Sequence, residues 1–366
     1  LLNFSNGDIS PNVSTKFGEF MEVPQELPDR IIDLLQIASY VFCADRCVNR
    51  GARDSVNNAA WSRSLDFQIP VNDIDFWSSA SVTKSLEDAL AFMTGDRRYH
   101  FVFSKATKND IKDSPYQETF FSRKALDMAI SDDVDIMLFS GGLDSLAGAI
   151  ERLNEYPDRK LCLVNHMSNN RTIKAQRALV TELKERYTNR VIPYTFECRF
   201  KKLDSRDETQ RTRMFMFSAI AFAICNHYGK NEFFVYENGV TSVNLPKQMD
   251  LMNARASRTT HPKTIGLLIE FYKHFNQDFK IETPFRKLTK EEIVKKFQIY
   301  SEEVLIQSSV SCSSTRSTHE IAPHCGCCSQ CIDRRFALYA AGLADDYDNT
   351  FALSMPYDRL NQEAMQ

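Results

Sequence analysis

Residues 134–153 read "VDIMLFSGGLDSLAGAIERL", and this stretch decides the fold. A short apolar run stops at a glycine pair, after which Leu146, Ala149, Ile150 and Leu153 recur at helical spacing. The sequence therefore specifies a strand, a glycine turn and the start of a helix. Glycines let backbone amides turn toward a ligand, and the first turn of a helix adds unpaired N–H groups with a partial positive charge. On this reading Ser140, Gly141, Gly142, Leu143, Asp144 and Ser145 form a phosphate cradle, with two serine hydroxyls as added donors; a plain tight turn is the competing reading. The motif holds no lysine, which argues against a Walker A loop and its γ-phosphate chemistry. Asp144 beside a phosphate calls for a bridging Mg²⁺ or for a structural capping role, because a bare carboxylate repels the anion.

The strand and helix rhythm continues outward from this point. "KLCLVNH" leads to "NRTIKAQRALVTELKERY", "VIPYTFEC" to "TRMFMFSAIAFAICNHYG", "NEFFVYENG" to "PKTIGLLIEFYKHF", and "DFKIETP" to "TKEEIVKKF". Five such units predict an α/β fold with a five-stranded parallel sheet and helices on both faces, since each parallel step needs a crossover. Ligands on such sheets bind beyond the carboxyl ends of the strands, where "SGGLDS" stands.

The front of the chain differs. A helix is expected after Pro28 from the stripe Ile31, Leu34, Leu35, Ala38 and Val41, ending near Gly51. Strands are expected where Leu65, Phe67 and Ile69, and again Tyr99, Phe101 and Phe103, alternate, with a helix at "SLEDALAFMTG" between them. Residues 1–125 thus read as an α+β accessory domain and 126–366 as the strand-and-helix domain, with residues 1 to about 27 as an irregular arm or edge segment.

With 43% hydrophobic and 25% charged residues the composition is that of an ordinary globular chain. A net charge of −3 gives no global reason to bind nucleic acid or an anionic membrane. The most apolar run, "MFMFSAIAFAIC", is short for a bilayer span and reads as a buried helix. A cytoplasmic location is the expectation.

Ten cysteines are present, and four of them crowd into residues 325–331. In "SCSSTRSTHEIAPHCGCCSQC" two successive Cys-x2-Cys spacings join an upstream cysteine, so Cys312, Cys325, Cys328 and Cys331 are the expected ligands of a structural Zn²⁺. Cys327 is left as spare, with His319 and His324 as substitute ligands. Cys43, Cys47, Cys162, Cys198 and Cys225 lie in apolar segments and read as inert core.

"SGGLDS" together with the late "CGCCSQC" resembles the QueC family of PP-loop ATP pyrophosphatases, whose pattern is SGGxDS early and CGxCxxC followed by arginine late. "TPFRKLTKEEIV" and "RTRMFMFSAIA" are similar to its intermediate landmarks, so the likeness covers about residues 131–343. The resemblance implies a sheet of the adenine nucleotide α-hydrolase type, ATP as substrate, Mg²⁺, and activation of 7-carboxy-7-deazaguanine by adenylation with pyrophosphate release. Two departures stand out: the added front segment, and "ENGVTSVNLP" and "RTTHP" where the family has a "GV…D…YPDCR" region. Both look more like the QueC-like proteins of anti-phage operons, QatC and the type IV CBASS subunit. That branch implies an amide ligase whose amine acceptor is a protein partner of the same operon. The 7-cyano-7-deazaguanine synthase reaction with ammonia and a catalytically degenerate nucleotide-binding module are the alternatives. A homodimer is the candidate assembly.

Under this resemblance Lys290 is expected as a point charge on the phosphates and Arg211 as a phosphate or carboxylate contact. Glu237, Asn238 and Gly239 are expected at the deazaguanine edge, the glycine admitting the ring. His261 is a general base or, with Pro262, a helix cap. His166 is expected at the nucleotide.

Overall fold

The computed structural model describes residues 13–17, 27–48, 62–107, 133–167, 170–200, 210–244, 258–312, 324–326 and 328–345. Strands are β1 (Val13–Phe17), β2 (Ser64–Val71), β3 (Arg98–Lys105), β4 (Val134–Leu138), β5 (Lys160–His166), β6 (Val191–Phe200), β7 (Glu232–Val235) and β8 (Lys280–Glu282). Helices are α1 (Asp29–Cys47), α2 (Ile74–Trp77), α3 (Ala80–Thr94), α4 (Leu143–Glu155), α5 (Asn170–Arg186), α6 (Arg213–His227), α7 (Gly239–Val243), α8 (Pro262–Tyr272), α9 (Lys290–Ile299) and α10 (Ser329–Ala340).

The main sheet has the order β1–β6–β5–β4–β7–β8, with five parallel strands as expected. Strand β1 adds antiparallel to β6, from Val13 opposite Phe200 to Phe17 opposite Phe196, which makes part of the front arm an edge strand. From β4 the chain first winds outward through β5 and β6, then returns to the other side of β4 through β7. That reversal is the switch point at which such sheets open a ligand crevice. Strand β5 is buried along nearly its whole length, as a strand covered on both faces must be.

By compactness the chain divides into two units, Leu1–Asp132 with Tyr194–Phe234 and Thr241–Glu282, and Asp133–Pro193 with Val235–Val240 and Thr283–Gln366. In the first, β2 and β3 form a separate parallel pair connected through α3, with Phe67 opposite and stacked on Phe101 at 4.9 Å. Helix α6 is apolar almost all round and buried accordingly, and it packs on α1. Arg63 is buried between Asp45 (2.5 Å) and Asp96 (2.7 Å), and Asp45 also accepts from the Thr212 amide at 3.0 Å. Cys43, Cys162, Cys198 and Cys225 are buried and unbridged, and Cys47 is half-buried.

In the second unit α4 lays Leu146, Ile150 and Leu153 into the core, where each buried side chain contributes about 1.5–3 kcal/mol. Asp135 on β4 is held by Arg152 (2.5 Å) and Arg159 (2.9 Å). Asp135 on β4 and Arg152 on α4 lie on the elements that frame the glycine turn, so their ion pair fixes β4 against α4.

Candidate active site and metal centre

The end of β4 delivers the glycine turn. Phe139 N–H donates to the Val164 carbonyl at 2.8 Å, and Gly141 then takes the left-handed conformation, φ +80°. The left-handed φ favours glycine, and a Cβ there would sit tightly, 3.1 Å from Gln176 Cγ. The carbonyls of Ser140 and Gly141 are held from outside the loop, by Gln176 Nε2 at 3.1 Å and by the Val310 amide at 3.0 Å. Gly142 caps α4 with no side-chain hydrogen bond to the first turn.

Ser140 and Ser145 serve the loop itself. Ser145 Oγ donates to the Gly142 carbonyl (3.1 Å) and accepts from the Ser140 amide (3.3 Å), while Ser140 Oγ accepts from the Gly142 amide (3.3 Å). The hydroxyls thus shape the turn and take up the Ser140 and Gly142 amides, leaving the first turn of α4 as the source of donors. Leu143, buried at the helix start, anchors the turn in the core.

Asp144 is the centre of the arrangement. Its Oδ2 accepts from the Asn238 amide (3.2 Å) and side chain (2.6 Å), and Lys290 Nζ stands 3.1 Å from Oδ1. Burial pushes the Asp144 carboxyl up, but the Lys290 ammonium and hydrogen bonds with Glu237 and Asn238 outweigh it and hold the group below its ordinary value. Asp144 is ionised at neutral pH. Its Oδ1 is buried with the Lys290 ammonium beside it, and a hard anionic carboxylate oxygen of this kind fits Mg²⁺, which would share it with Lys290.

Lys290 reaches Asp144 because α9 begins there: Thr289 caps the helix and forms a reciprocal capping box with Glu292. Asn238 and Glu237 follow the end of β7, linked at 3.3 Å. Two glycines set their position. A Cβ on Gly148 of α4 would fall 2.2 Å from the Tyr236 ring, so that ring packs where a side chain would otherwise be. At Gly239 the Cβ position is filled by the Arg286 carbonyl at 2.4 Å, and the Gly239 amide donates to the Leu288 carbonyl at 2.9 Å. Gly239 therefore admits a neighbouring backbone, where the sequence reading has it admit a ligand ring. The role of Gly148 escapes sequence reading, because Tyr236 is 88 positions away along the chain.

Ser140, Asp144, Ser145, Glu237, Asn238 and Lys290 come together in one unit; Arg211 and His261 belong to the other. Arg211 is buried and donates to the Thr94 carbonyl at 3.1 Å. His261 is the N-cap of α8, its Nδ1 accepting from the Lys263 amide at 3.1 Å, with Pro262 in the first turn. Partial burial and the cations Arg258 and Lys263 lower its pKa, and the capping contact is formed. His166 is buried at the end of β5.

The sulfurs of Cys312, Cys325, Cys328 and Cys331 all lie within 4.8 Å of one another. Cys312 and Cys328 are 3.9 Å apart and Cys325 and Cys331 3.8 Å, close to the edge of a tetrahedron with ~2.3 Å zinc–sulfur bonds. Gly326, at φ +80°, makes the knuckle turn, and the Cys328 amide donates to Cys325 Sγ at 3.3 Å. The neighbouring Cys328 thiol pushes Cys312 up to about 11, the penalty a bound cation removes. The residues fit zinc, and four thiolates close its coordination shell. His324 instead accepts from the Ser311 amide through Nε2 at 3.2 Å. Cys327 and His319 lie outside the described residues.

Arg334, three positions after Cys331, is fully buried. It donates to Ser309 Oγ (2.8 Å) and the Ile306 carbonyl (2.7 Å) and pairs with Asp345 (2.5 Å). The family pattern's late arginine points to this neighbourhood without giving its partners.

Comparison with known proteins agrees with this geometry over part of the chain. Residues 211–342 match the family model described as Queuosine biosynthesis protein QueC. The match takes in Asn238, Lys290 and the four cysteines and begins after the glycine turn. A search of curated proteins finds no match. Among the described residues no helix is long and apolar enough to cross a membrane. The segment that contributes Asn238 and Lys290 to the Asp144 cluster, and all four sulfurs to the metal centre, is QueC-like.

Proposed function

We propose that the chain uses ATP to adenylate the carboxylate of a 7-carboxy-7-deazaguanine-like molecule and then transfers the acyl group to an amine. The observation that carries this reading is the ionised Asp144, held by Lys290 and Asn238 directly after a glycine turn whose carbonyls are drawn away. In the first step a carboxylate oxygen attacks the α-phosphorus, the bond to the bridging oxygen breaks and pyrophosphate leaves. The amides of the first turn of α4 would receive the charge that grows on the leaving group. Lys290 adds a point charge, and Asp144 would hold Mg²⁺, which supplies further neutralisation when bound. In the second step the amine nitrogen attacks the acyl carbon, the bond from that carbon to the phosphate oxygen breaks, AMP leaves with the electron pair, and a proton passes to solvent. The zinc site would be structural.

A protein amino group is the proposed acceptor, in an anti-phage system and in the cytoplasm. "ENGVTSVNLP", "RTTHP" and the long front segment support this branch over a nitrile synthase. The test is incubation with ATP, Mg²⁺ and 7-carboxy-7-deazaguanine, with ammonia or with a candidate partner protein, read by product mass. A covalent partner adduct is expected; robust nitrile formation from ammonia alone would replace the acceptor with ammonia.

A further inference from the structure

The metal centre and the glycine turn are joined by four residues. Cys312 supplies one sulfur of the cluster, and two positions earlier the Val310 amide donates to the Gly141 carbonyl at 3.0 Å. A Cβ on Gly142 would meet the Val310 carbonyl at 3.7 Å, so this backbone lies in contact range of the turn. Residues 309–312 are gripped from the cysteine side at two further points. The Ser311 amide donates to His324 Nε2 (3.2 Å), next to Cys325, and Arg334 donates to the carbonyl (3.2 Å) and hydroxyl (2.8 Å) of Ser309.

A turn with two adjacent glycines is intrinsically loose and has the most conformational entropy to lose on adopting one shape. A hydrogen bond from Val310 to the left-handed Gly141 removes part of that freedom, provided Val310 is itself fixed. Four sulfurs within 4.8 Å fix Cys312 firmly only when a cation sits among them, because without one only weak sulfur contacts at 3.8–3.9 Å hold them together. Metal occupancy and the shape of the turn therefore share one short tether.

We infer that residues 309–312 couple the metal centre to the phosphate turn, so that zinc and pyrophosphate bind this chain cooperatively, with His324 and Arg334 as positioning residues. The inference rests on the phosphate reading of the turn proposed above. Linkage is reciprocal: the factor by which zinc tightens pyrophosphate binding equals the factor by which pyrophosphate tightens zinc binding. The expected factor is on the order of 10, within the common range for coupled sites.

The test uses the full chain, zinc-loaded and zinc-stripped, titrated with inorganic pyrophosphate by calorimetry, alongside zinc competition with a chelator with and without pyrophosphate. Hydrogen exchange of peptides spanning 139–145 and 306–312 is followed in both forms, with circular dichroism as the check on folding. The two factors should agree, and both peptides should exchange faster without zinc. His324→Ala, which leaves all four cysteines in place, should keep its zinc yet lose pyrophosphate affinity, and His324→Gln should restore part of it. Equal pyrophosphate affinity with and without zinc overturns the inference. If pyrophosphate binds neither form, the phosphate reading fails, and the coupling then stands or falls on whether peptide 139–145 exchanges faster without zinc.

Discussion

Asp144 and Lys290 form the most consequential pair, because both are largely buried and each neutralises the other. Lys290→Met leaves a buried carboxylate uncompensated and should cost about 3–5 kcal/mol in denaturant unfolding, with Asp144→Asn milder on stability. Asp144→Asn should nonetheless lower turnover at least 100-fold, since it removes the charge proposed to hold Mg²⁺. The pH dependence has a definite sign. The folded pKa of Asp144 lies below the ordinary 3.8, so its pairing stabilises the protein above the unfolded value and is lost as pH falls through the folded one. Acid unfolding of the wild type below about pH 4 should be less steep in Asp144→Asn. Asp144 is legible from its glycine turn and Lys290 from its helix start together with the family resemblance, signals that place both near phosphate but do not give their pairing. Arg211 and His261 are legible as polar residues near helix starts, but spacing along the chain does not say which element they face. The one meets the Thr94 carbonyl and the other caps α8.

At the scale of elements, the positions of Tyr236, Glu237 and Asn238 depend on how close the segment 236–238 can approach α4. Gly148→Ala would put a methyl inside the Tyr236 ring position, and the shift should cost about 1–3 kcal/mol in thermal or denaturant unfolding. Activity should fall further than stability, because Asn238 moves with the ring. The cysteine knuckle is a second such element. One zinc per chain is expected by metal analysis, retained in Cys327→Ser and lost or strongly weakened in Cys325→Ser. Hydrophobic periodicity makes most elements readable: α6 is the buried helix its composition describes, and β2 shows the expected alternation. What periodicity cannot reveal is pairing. The antiparallel addition of β1 to β6, the placement of Arg63 between Asp45 and Asp96, and the grip of Arg334 on Ser309 each join positions far apart in the chain, between residue types ordinary in either place.

For the whole molecule, the sheet order reverses at β4, and the segments that follow β4 and β7 carry the glycine turn and Asn238. The parallel sheet was foreseeable because strands and helices alternate five times; the return of β7 to the far side of β4 was not, because connection lengths alone do not choose a side. The proposed chemistry is activation of a carboxylate at the α-phosphorus of ATP by the residues around Asp144. The most direct measurement is a reaction with 7-carboxy-7-deazaguanine labelled with ¹⁸O in the carboxylate, with ATP, Mg²⁺ and an amine acceptor, followed by mass spectrometry of the nucleotide and phosphate products. Adenylation gives AMP carrying one ¹⁸O atom together with unlabelled pyrophosphate, and this is the expected result. ADP with ¹⁸O in inorganic phosphate would contradict it.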